Sequence, residues 1–145
     1  MLISSVLRSK GDAVERIRST EKVGDAVCRL FQHRIGVLVV EDQKMQMVGI
    51  FSERDLVGAI AREGAAALSR QVSELMSSCV ITCAASDQID TILAKMTTAR
   101  IRHLPVVENG TLIGIVSIGD LVKARLDEKE LESNVLVDIL RFKRA

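Results

Sequence analysis

Apolar residues recur with the helical spacing i, i+3, i+4 and i+7 in two stretches, one in each half of the chain. The members are Val23, Ala26, Val27 and Leu30 in the first half, and Ile89, Ile92, Leu93 and Met96 in the second. Each stretch predicts an amphipathic helix that buries one face in a core. Thr20 and Ser86 stand three residues before the two faces and are the expected N-caps.

Short apolar runs flank each predicted helix and indicate strands. They lie near residues 14–17, 37–40 and 48–51 in the first half, and near residues 80–83, 104–107 and 112–116 in the second. Asn109 and Gly110 separate the last two runs and are typical of a β-hairpin turn. Further helices are expected to begin near Ser52 and Ser117. Each half is therefore predicted as strand, helix, strand, turn, strand, helix.

The two halves are copies of one structural unit. Ile35-Gly-Val-Leu-Val-Val-Glu in the first copy corresponds to Ile101-Arg-His-Leu-Pro-Val-Val-Glu in the second, with a turn of different length after each. One copy of about 60 residues would leave the apolar face of a small sheet exposed. We therefore expect the copies to pack sheet to sheet with a cleft between them. The predicted fold class is α/β, of the α+β kind, with two β-α-β-β-α repeats as a pseudo-twofold pair.

The repeat also predicts the domain boundaries. The first copy, with an N-terminal helix, is assigned to residues 1–64, the second to residues 65–126, and a C-terminal amphipathic helix to residues 127–145. The apolar residues that follow helical spacing in this last segment are Leu131, Val135, Ile139 and Phe142. The linker 62–70 contains Gly64 and is expected to be mobile or loosely helical.

Composition excludes several classes of partner. Among 145 residues, 20 are basic and 19 acidic, so the net charge of +1 gives no basic surface typical of nucleic-acid binding. The absence of Trp and Tyr, with three Phe, predicts an aliphatic core. No apolar run is long enough to span a membrane. Three cysteines, an odd number, favour a reducing, cytoplasmic location over a disulfide framework.

The pattern Gly-hydrophobic-x-Ser-x-x-Asp occurs twice, from Gly49 to Asp55 and from Gly114 to Asp120. Each copy lies where a strand ends and a helix begins, so unpaired backbone amides and the helix dipole could hold an anion. The serine could bind a phosphate, and the aspartate could accept hydrogen bonds from ribose hydroxyls. Ser-x-x-Asp is equally compatible with a capping box, which needs only local geometry. The repeat by itself does not decide between these interpretations.

The two copies resemble a tandem pair of cystathionine β-synthase (CBS) domains, known as a Bateman module. The resemblance covers about residues 2–126 and depends on the duplicated Gly-to-Asp motif, on Arg102-His-Leu-Pro-Val106 and on the order of strands and helices. It implies a regulatory module that binds an adenosine-containing ligand in the cleft. It also implies a dimer, here a homodimer. AMP is the expected ligand, with NAD, ADP, ATP or S-adenosylmethionine as alternatives.

The resemblance also assigns roles to individual residues. In the second copy, Asp120 is expected to hold the ribose and Ser117 the phosphate, while backbone groups of Val80, Ile81 and Thr82 contact the adenine. In the first copy, Ser52 and Asp55 take the same roles, and the segment around Arg16 and Ile17 flanks the base. The copies differ where Gly36 and Val37 in the first correspond to Arg102 and His103 in the second, and where Arg54 has no basic counterpart. The basic residues of this set, which could neutralise phosphate, are Arg54, Arg102 and His103.

Two other hypotheses compete with ligand sensing. The chain could be an interaction protein without a small ligand, which binds a partner through its C-terminal helix. It could also be a nucleotide-hydrolysing enzyme. The enzyme hypothesis ranks last, because the sequence holds no phosphate-binding glycine loop, no dinucleotide fingerprint and no cluster with metal-ligand spacing. The sequence does not name the protein that would be regulated.

Overall fold

The computed structural model describes residues 1–144. The helices are α1 (Ile3–Lys10), α2 (Val23–His33), α3 (Glu53–Glu63), α4 (Val72–Leu75), α5 (Ile89–Ala99) and α6 (Ile118–Arg144). The strands are β1 (Arg16–Arg18), β2 (Val37–Glu41), β3 (Met47–Ser52), β4 (His103–Glu108) and β5 (Thr111–Ser117). A 3₁₀ helix, Gly64–Ser69, precedes α4.

The chain divides into two compact units that do not follow the order of the sequence. The first unit is residues 13–81, and the second combines residues 1–12 with the chain from residue 82 onward. Helix α1 therefore begins the chain but belongs with the second copy of the repeat. The predicted boundaries at residues 64 and 126 stay predictions.

The first unit is built on a three-stranded sheet. Strand β1 pairs parallel to β2, and β2 pairs antiparallel to β3. All five residues of β2 are buried, which fits a strand covered on both faces. Phe51 is fully buried among aliphatic side chains, whereas Phe31 and Phe142 are 84% exposed. The core of this unit is thus aliphatic apart from Phe51.

The second unit contains the hairpin of β4 and β5. Its turn residues Asn109 and Gly110 have φ angles of 51° and 76°. Both are positive, as the hairpin predicted from this dipeptide requires. The strand predicted near residues 80–83 is wrong. Only Cys83 makes a bridge there, to Val106, because a single residue of this segment lies alongside β4.

The N-caps predicted for the two amphipathic helices are also wrong. Lys22 caps α2 and Gln88 caps α5, and neither uses its side chain. Backbone carbonyls from elsewhere take over this role: the amide of Val23 donates to Arg70 O at 2.9 Å, and that of Ile89 to Met1 O at 3.0 Å. The amides at these helix starts are satisfied by tertiary contacts, which the local sequence does not reveal.

Two connections are more ordered than the sequence suggests. The linker forms the 3₁₀ helix, and Ala67 within it is fully buried. The closing helix of the second copy and the predicted C-terminal helix are one continuous helix, α6, of 27 residues. Ala145, the last residue of the predicted C-terminal segment, lies outside the described residues.

Candidate functional site

Ser52 and Asp55 form a capping box at the start of α3. The Ser52 amide donates to Asp55 Oδ2 at 2.9 Å, and the Asp55 amide donates to Ser52 Oγ at 3.3 Å. Ser52 is the last residue of β3 and has extended backbone angles, so its side chain folds over the first turn of the helix.

Ser117 and Asp120 repeat this arrangement at the start of α6. The Ser117 amide donates to Asp120 Oδ2 at 2.9 Å, and the Asp120 amide donates to Ser117 Oγ at 3.1 Å. Both copies of the motif are therefore helix caps, as the local interpretation of Ser-x-x-Asp predicts. We call them the first and second Ser–Asp caps. Their reciprocal bonds use Oδ2 of each carboxylate.

The structure places the divergent residues of the two copies beside these caps. Glu53 donates its amide to Gly36 O at 3.0 Å, and Ile118 donates its amide to Arg102 O at 2.8 Å. His103 is paired with Ser117 in the strand register. The segment that carries Gly36 in one copy and Arg102 and His103 in the other thus adjoins the first turn of the capped helix.

The glycines of the motif allow close packing behind each cap. A Cβ on Gly49 would lie 2.7 Å from both Met76 Sδ and Ser77 O, and one on Gly114 would lie 2.7 Å from Leu7 Cδ2. Real Cβ contacts are not that short, so any larger residue would push these neighbours away. The need for glycine is stricter at Gly49, which faces a backbone carbonyl, than at Gly114, which faces the end of a leucine side chain.

Two residues that contact the aspartates were not predicted from the sequence. Ser77 donates its hydroxyl to Asp55 Oδ1 at 3.0 Å. Lys10, at the end of α1, donates to Asp120 Oδ2 at 2.5 Å and to Ile115 O at 2.9 Å. Neither residue lies in its motif, and Lys10 is more than a hundred residues from Asp120. The Lys10 contact could have been predicted only if the sequence had shown that α1 packs on the second copy of the repeat.

Asp120 is held in its charged form. Partial burial opposes ionisation of this carboxyl, but the hydrogen bond from Lys10, the Ser117 amide and the Lys10 charge together lower its pKa. The lysine thus belongs to the electrostatic environment of the second cap.

The remaining predicted site residues are more dispersed. Ile17 is buried in the core of the first unit, and Arg16 forms an ion pair with Glu41. Val80 and Ile81 belong to the first unit and Thr82 to the second, where its carbonyl accepts from Lys95 Nζ at 3.1 Å. Arg54 is exposed on the first turn of α3. Their roles toward a ligand stay predictions.

Three further observations concern other chemistry. Within residues 1–144, no group of three or more His, Cys, Asp and Glu could hold a metal ion. Among the same residues, no helix has both the length and the apolar character needed to span a membrane. Burial raises the pKa of the Cys83 thiol to about 11, which keeps this cysteine protonated at neutral pH.

Each unit thus combines an antiparallel strand pair, a helix that follows it through a Ser–Asp cap, and a segment packed against the motif glycine. These features define a tandem-repeat α+β module. The sequence profile of the CBS domain family matches residues 12–62 and 72–127, and the chain belongs to this family. The resemblance stated from the motifs is confirmed.

Known proteins support the same family and fold. A solved CBS-domain containing protein from Agrobacterium tumefaciens is 44% identical, with 86% of this chain and 92% of that chain covered and a TM-score of 0.84. The mitochondrial CBS domain-containing protein CBSX3 of Arabidopsis thaliana is 34% identical over 138 residues, which are 90% of this chain and 67% of that protein. The predicted α+β fold class is confirmed by these structures.

A third similar structure was solved with ligands. It is the CBS domain pair of protein MJ0100 in complex with 5′-methylthioadenosine and S-adenosyl-L-methionine. This pair is 24% identical to the chain, with 88% of this chain and 98% of that chain covered and a TM-score of 0.77. At this identity the comparison shows the fold alone.

Proposed function

We propose that this CBS domain pair is a regulatory module that binds an adenosine-containing ligand through its two Ser–Asp caps. AMP is the ligand proposed first, with NAD, ADP and ATP as alternatives. The proposal includes a cytoplasmic location, which three free cysteines favour. In this proposal, ligand binding acts by changing the affinity of the module for a regulated protein.

The observation that carries the proposal is the duplication of the Ser–Asp cap at the end of a strand. Each cap brings a carboxylate, a hydroxyl and the amides of a helical first turn into one place. This donor and acceptor set suits ribose hydroxyls and phosphate together. The ligands of the MJ0100 pair contain adenosine, as AMP, NAD, ADP and ATP do.

The first experiment asks whether a nucleotide accompanies the purified protein. The chain has no Trp and no Tyr, so its own absorbance in the near ultraviolet is very weak. We expect a band near 260 nm, typical of adenine, that moves into the supernatant after acid precipitation. Chromatography of that supernatant then identifies the nucleotide. If no band is present, calorimetric titration with AMP, ATP, NAD and S-adenosylmethionine tests for weaker binding, and failure of all four overturns the proposal.

Alanine variants then separate binding from capping. Asp55→Ala and Asp120→Ala each remove a cap, so each is expected to lower the free energy of unfolding by about 1 kcal/mol. If the caps also bind ligand, each variant loses affinity at its own copy while it remains folded in a thermal melt. Unchanged AMP affinity in the double variant would restrict both aspartates to a structural role.

Catalysis is not part of the proposal. A nucleotide-hydrolysing enzyme remains the last-ranked hypothesis, since the sequence holds no phosphate-binding glycine loop and no dinucleotide fingerprint. Release of ADP from ATP, or of nicotinamide from NAD, by the purified chain would contradict this ranking.

A second candidate function is interaction with a protein partner, and exposure of α6 favours it. Apolar side chains along its second half are 43–84% exposed. The largest of them are Leu131, Leu136, Ile139, Leu140 and Phe142. An exposed apolar surface of this kind marks a site of association. We propose that it holds two copies of the chain together as a homodimer, with or without a nucleotide.

A further inference from the structure

The two units contain equivalent segments that pack against the motif glycine. We call them the straps: residues 1–10 in the second unit and residues 71–77 in the first. The amides of Ile3 and Ser4 donate to Asp87 O and Ala85 O, each at 2.9 Å. In the first unit, the amides of Val72 and Ser73 donate to Glu21 O and Ser19 O at 2.8 and 3.0 Å. The two straps are therefore bound in the same way.

The straps differ in how they reach the aspartate. In the first unit, Ser77 donates its amide to Ile50 O at 2.9 Å and its hydroxyl to Asp55 Oδ1 at 3.0 Å. In the second unit, the ammonium of Lys10 donates to Ile115 O at 2.9 Å and to Asp120 Oδ2 at 2.5 Å. Ile50 and Ile115 each follow the motif glycine, so the two carbonyl acceptors are equivalent. On the carboxylates, Ser77 uses the oxygen that the cap leaves free, whereas Lys10 shares Oδ2 with the cap. One lysine ammonium replaces the two neutral donors of a serine.

The longer helix of the second strap explains this replacement. Helix α4 ends at Leu75, whereas α1 continues for eight residues to Lys10. The extra turn carries a side chain long enough to return to the carbonyl of Ile115. Lys10 and Asp120 are 33% and 26% exposed, so their interaction is only partly screened by water.

The replacement changes the charge at one cap and not at the other. Asp120 is neutralised by Lys10, whereas Ser77 leaves the charge of Asp55 in place. An ammonium has three donor hydrogens, and the contacts to Ile115 and Asp120 use two of them. A phosphate near the second cap would therefore meet a neutralised carboxylate and a lysine rather than a bare anion.

We propose that Lys10 makes the second cap selective for adenosine ligands that carry phosphate. This inference rests on the proposed function, because it concerns the ligand of the same caps. Lys10 is a specificity-determining residue of the second cap in this proposal. Its charge acts on the phosphate, while Asp120 and Ser117 remain the groups that contact the ligand.

The experiment isolates the second cap with Asp55→Ala and compares two ligands. Calorimetry with adenosine and with AMP gives the ratio of their dissociation constants, first with Lys10 present and then with Lys10→Met. Methionine keeps an unbranched apolar side chain and removes the charge. We expect the preference for AMP over adenosine to fall about tenfold, as loss of one nearby unit charge predicts. Lys10→Arg, which keeps the charge, is expected to retain most of the preference.

Lys129→Met is the matched control. Lys129 is exposed on α6 in the same unit and lies more than two helical turns after Asp120, so the control changes net charge by the same amount without touching the cap. If Lys10→Met and Lys129→Met leave the same ligand ratio, Lys10 has no role in selectivity and the inference is overturned. If Lys10→Met fails to fold, Lys10→Gln, with a neutral hydrogen-bonding side chain, replaces it. If the unmodified chain binds neither adenosine nor AMP, the proposed function fails, and the inference fails with it.

Discussion

Asp55 and Asp120 perform the same structural task in different electrostatic surroundings. Both accept the amide of their serine through Oδ2, and both sit on the first turn of a helix. Asp55 then accepts a serine hydroxyl, whereas Asp120 accepts a lysine ammonium. Identical residues in a repeat can therefore differ in charge balance, because each residue's neighbours come from a different part of the chain.

This difference predicts a pH dependence of stability. The folded state lowers the pKa of Asp120, so it favours the charged carboxylate. The resulting stabilisation is complete at neutral pH and is lost as the pH falls below about 4, toward the lowered value. Lys10→Met is expected to reduce the free energy of unfolding by about 0.5–1 kcal/mol at pH 7, as for other partly exposed pairs.

Chemical denaturation across a pH series measures this effect. The difference between the unmodified chain and Lys10→Met should shrink as the pH falls through the acidic range, where Asp120 takes up a proton. Lys129→Met provides the baseline for loss of a charge more than two helical turns from Asp120. If the difference in free energy of unfolding between the two proteins stays constant down to the lowest pH measured, the effect of Lys10 comes from packing of its aliphatic side chain and not from its charge.

At the scale of elements, the straps and the motif glycines form one packed contact in each unit. Leu7 of α1 covers Gly114, and Met76 with Ser77 covers Gly49. A helix start, a strand and a distant strap thus meet at a position where an added Cβ would press on the strap. The neighbours differ in kind, because Gly114 faces the end of a flexible leucine and Gly49 faces a backbone carbonyl as well.

Alanine substitution of these glycines tests that difference. A leucine side chain can rotate away, whereas the carbonyl of Ser77 is held in a bridge to Ile50. We therefore expect Gly49→Ala to lower the free energy of unfolding by about 1–3 kcal/mol, the usual cost of overpacking, and Gly114→Ala to lower it by less.

Gly119→Ala serves as the control for this pair. A Cβ there meets Ser117 Oγ at an ordinary 3.6 Å, and alanine favours a helix over glycine, so no loss of stability is expected. Urea denaturation of the three variants gives the order. If Gly49→Ala and Gly114→Ala lower the free energy of unfolding equally, the two straps move aside equally easily and the predicted difference between them is wrong.

At the scale of the whole molecule, the second half of α6 extends the chain beyond the two repeats. The apolar residues along it remain exposed, and only Leu121, near the start of the helix, is fully buried. The ion pairs of Glu128 with the N-terminus and of Arg125 with Asp90 tie the middle of α6 to its own unit. The rest of the helix is available to a second copy of the chain.

Removal of residues 127–145 tests this assignment. We expect the shortened chain to be a monomer by light scattering and to keep a cooperative thermal transition, because its repeats retain their cores. A double substitution in the full chain, Leu140→Glu with Phe142→Glu, should also give a monomer, while Lys129→Glu should remain dimeric. A shortened chain that is still a dimer would exclude the C-terminal part of α6 as the interface.

The fold class and the duplication could be predicted from the sequence alone. These features depend on contacts within a few residues or on patterns that repeat. The helical spacing from Val23 to Leu30 predicted α2, and Asn109 and Gly110 predicted the hairpin. Ser-x-x-Asp was compatible with the capping boxes but left the ligand interpretation open. The family followed from the same motifs.

Tertiary structure decided what lies beside each cap. The chain begins in the second unit, so Lys10 meets Asp120 although the two are far apart in sequence. Tertiary contacts also bring the carbonyls of Met1 and Arg70 to the helix starts that Ser86 and Thr20 were expected to cap. A local pattern cannot predict which distant segment closes a unit, because that choice depends on packing between elements. The charge that distinguishes the two Ser–Asp caps is a product of that packing.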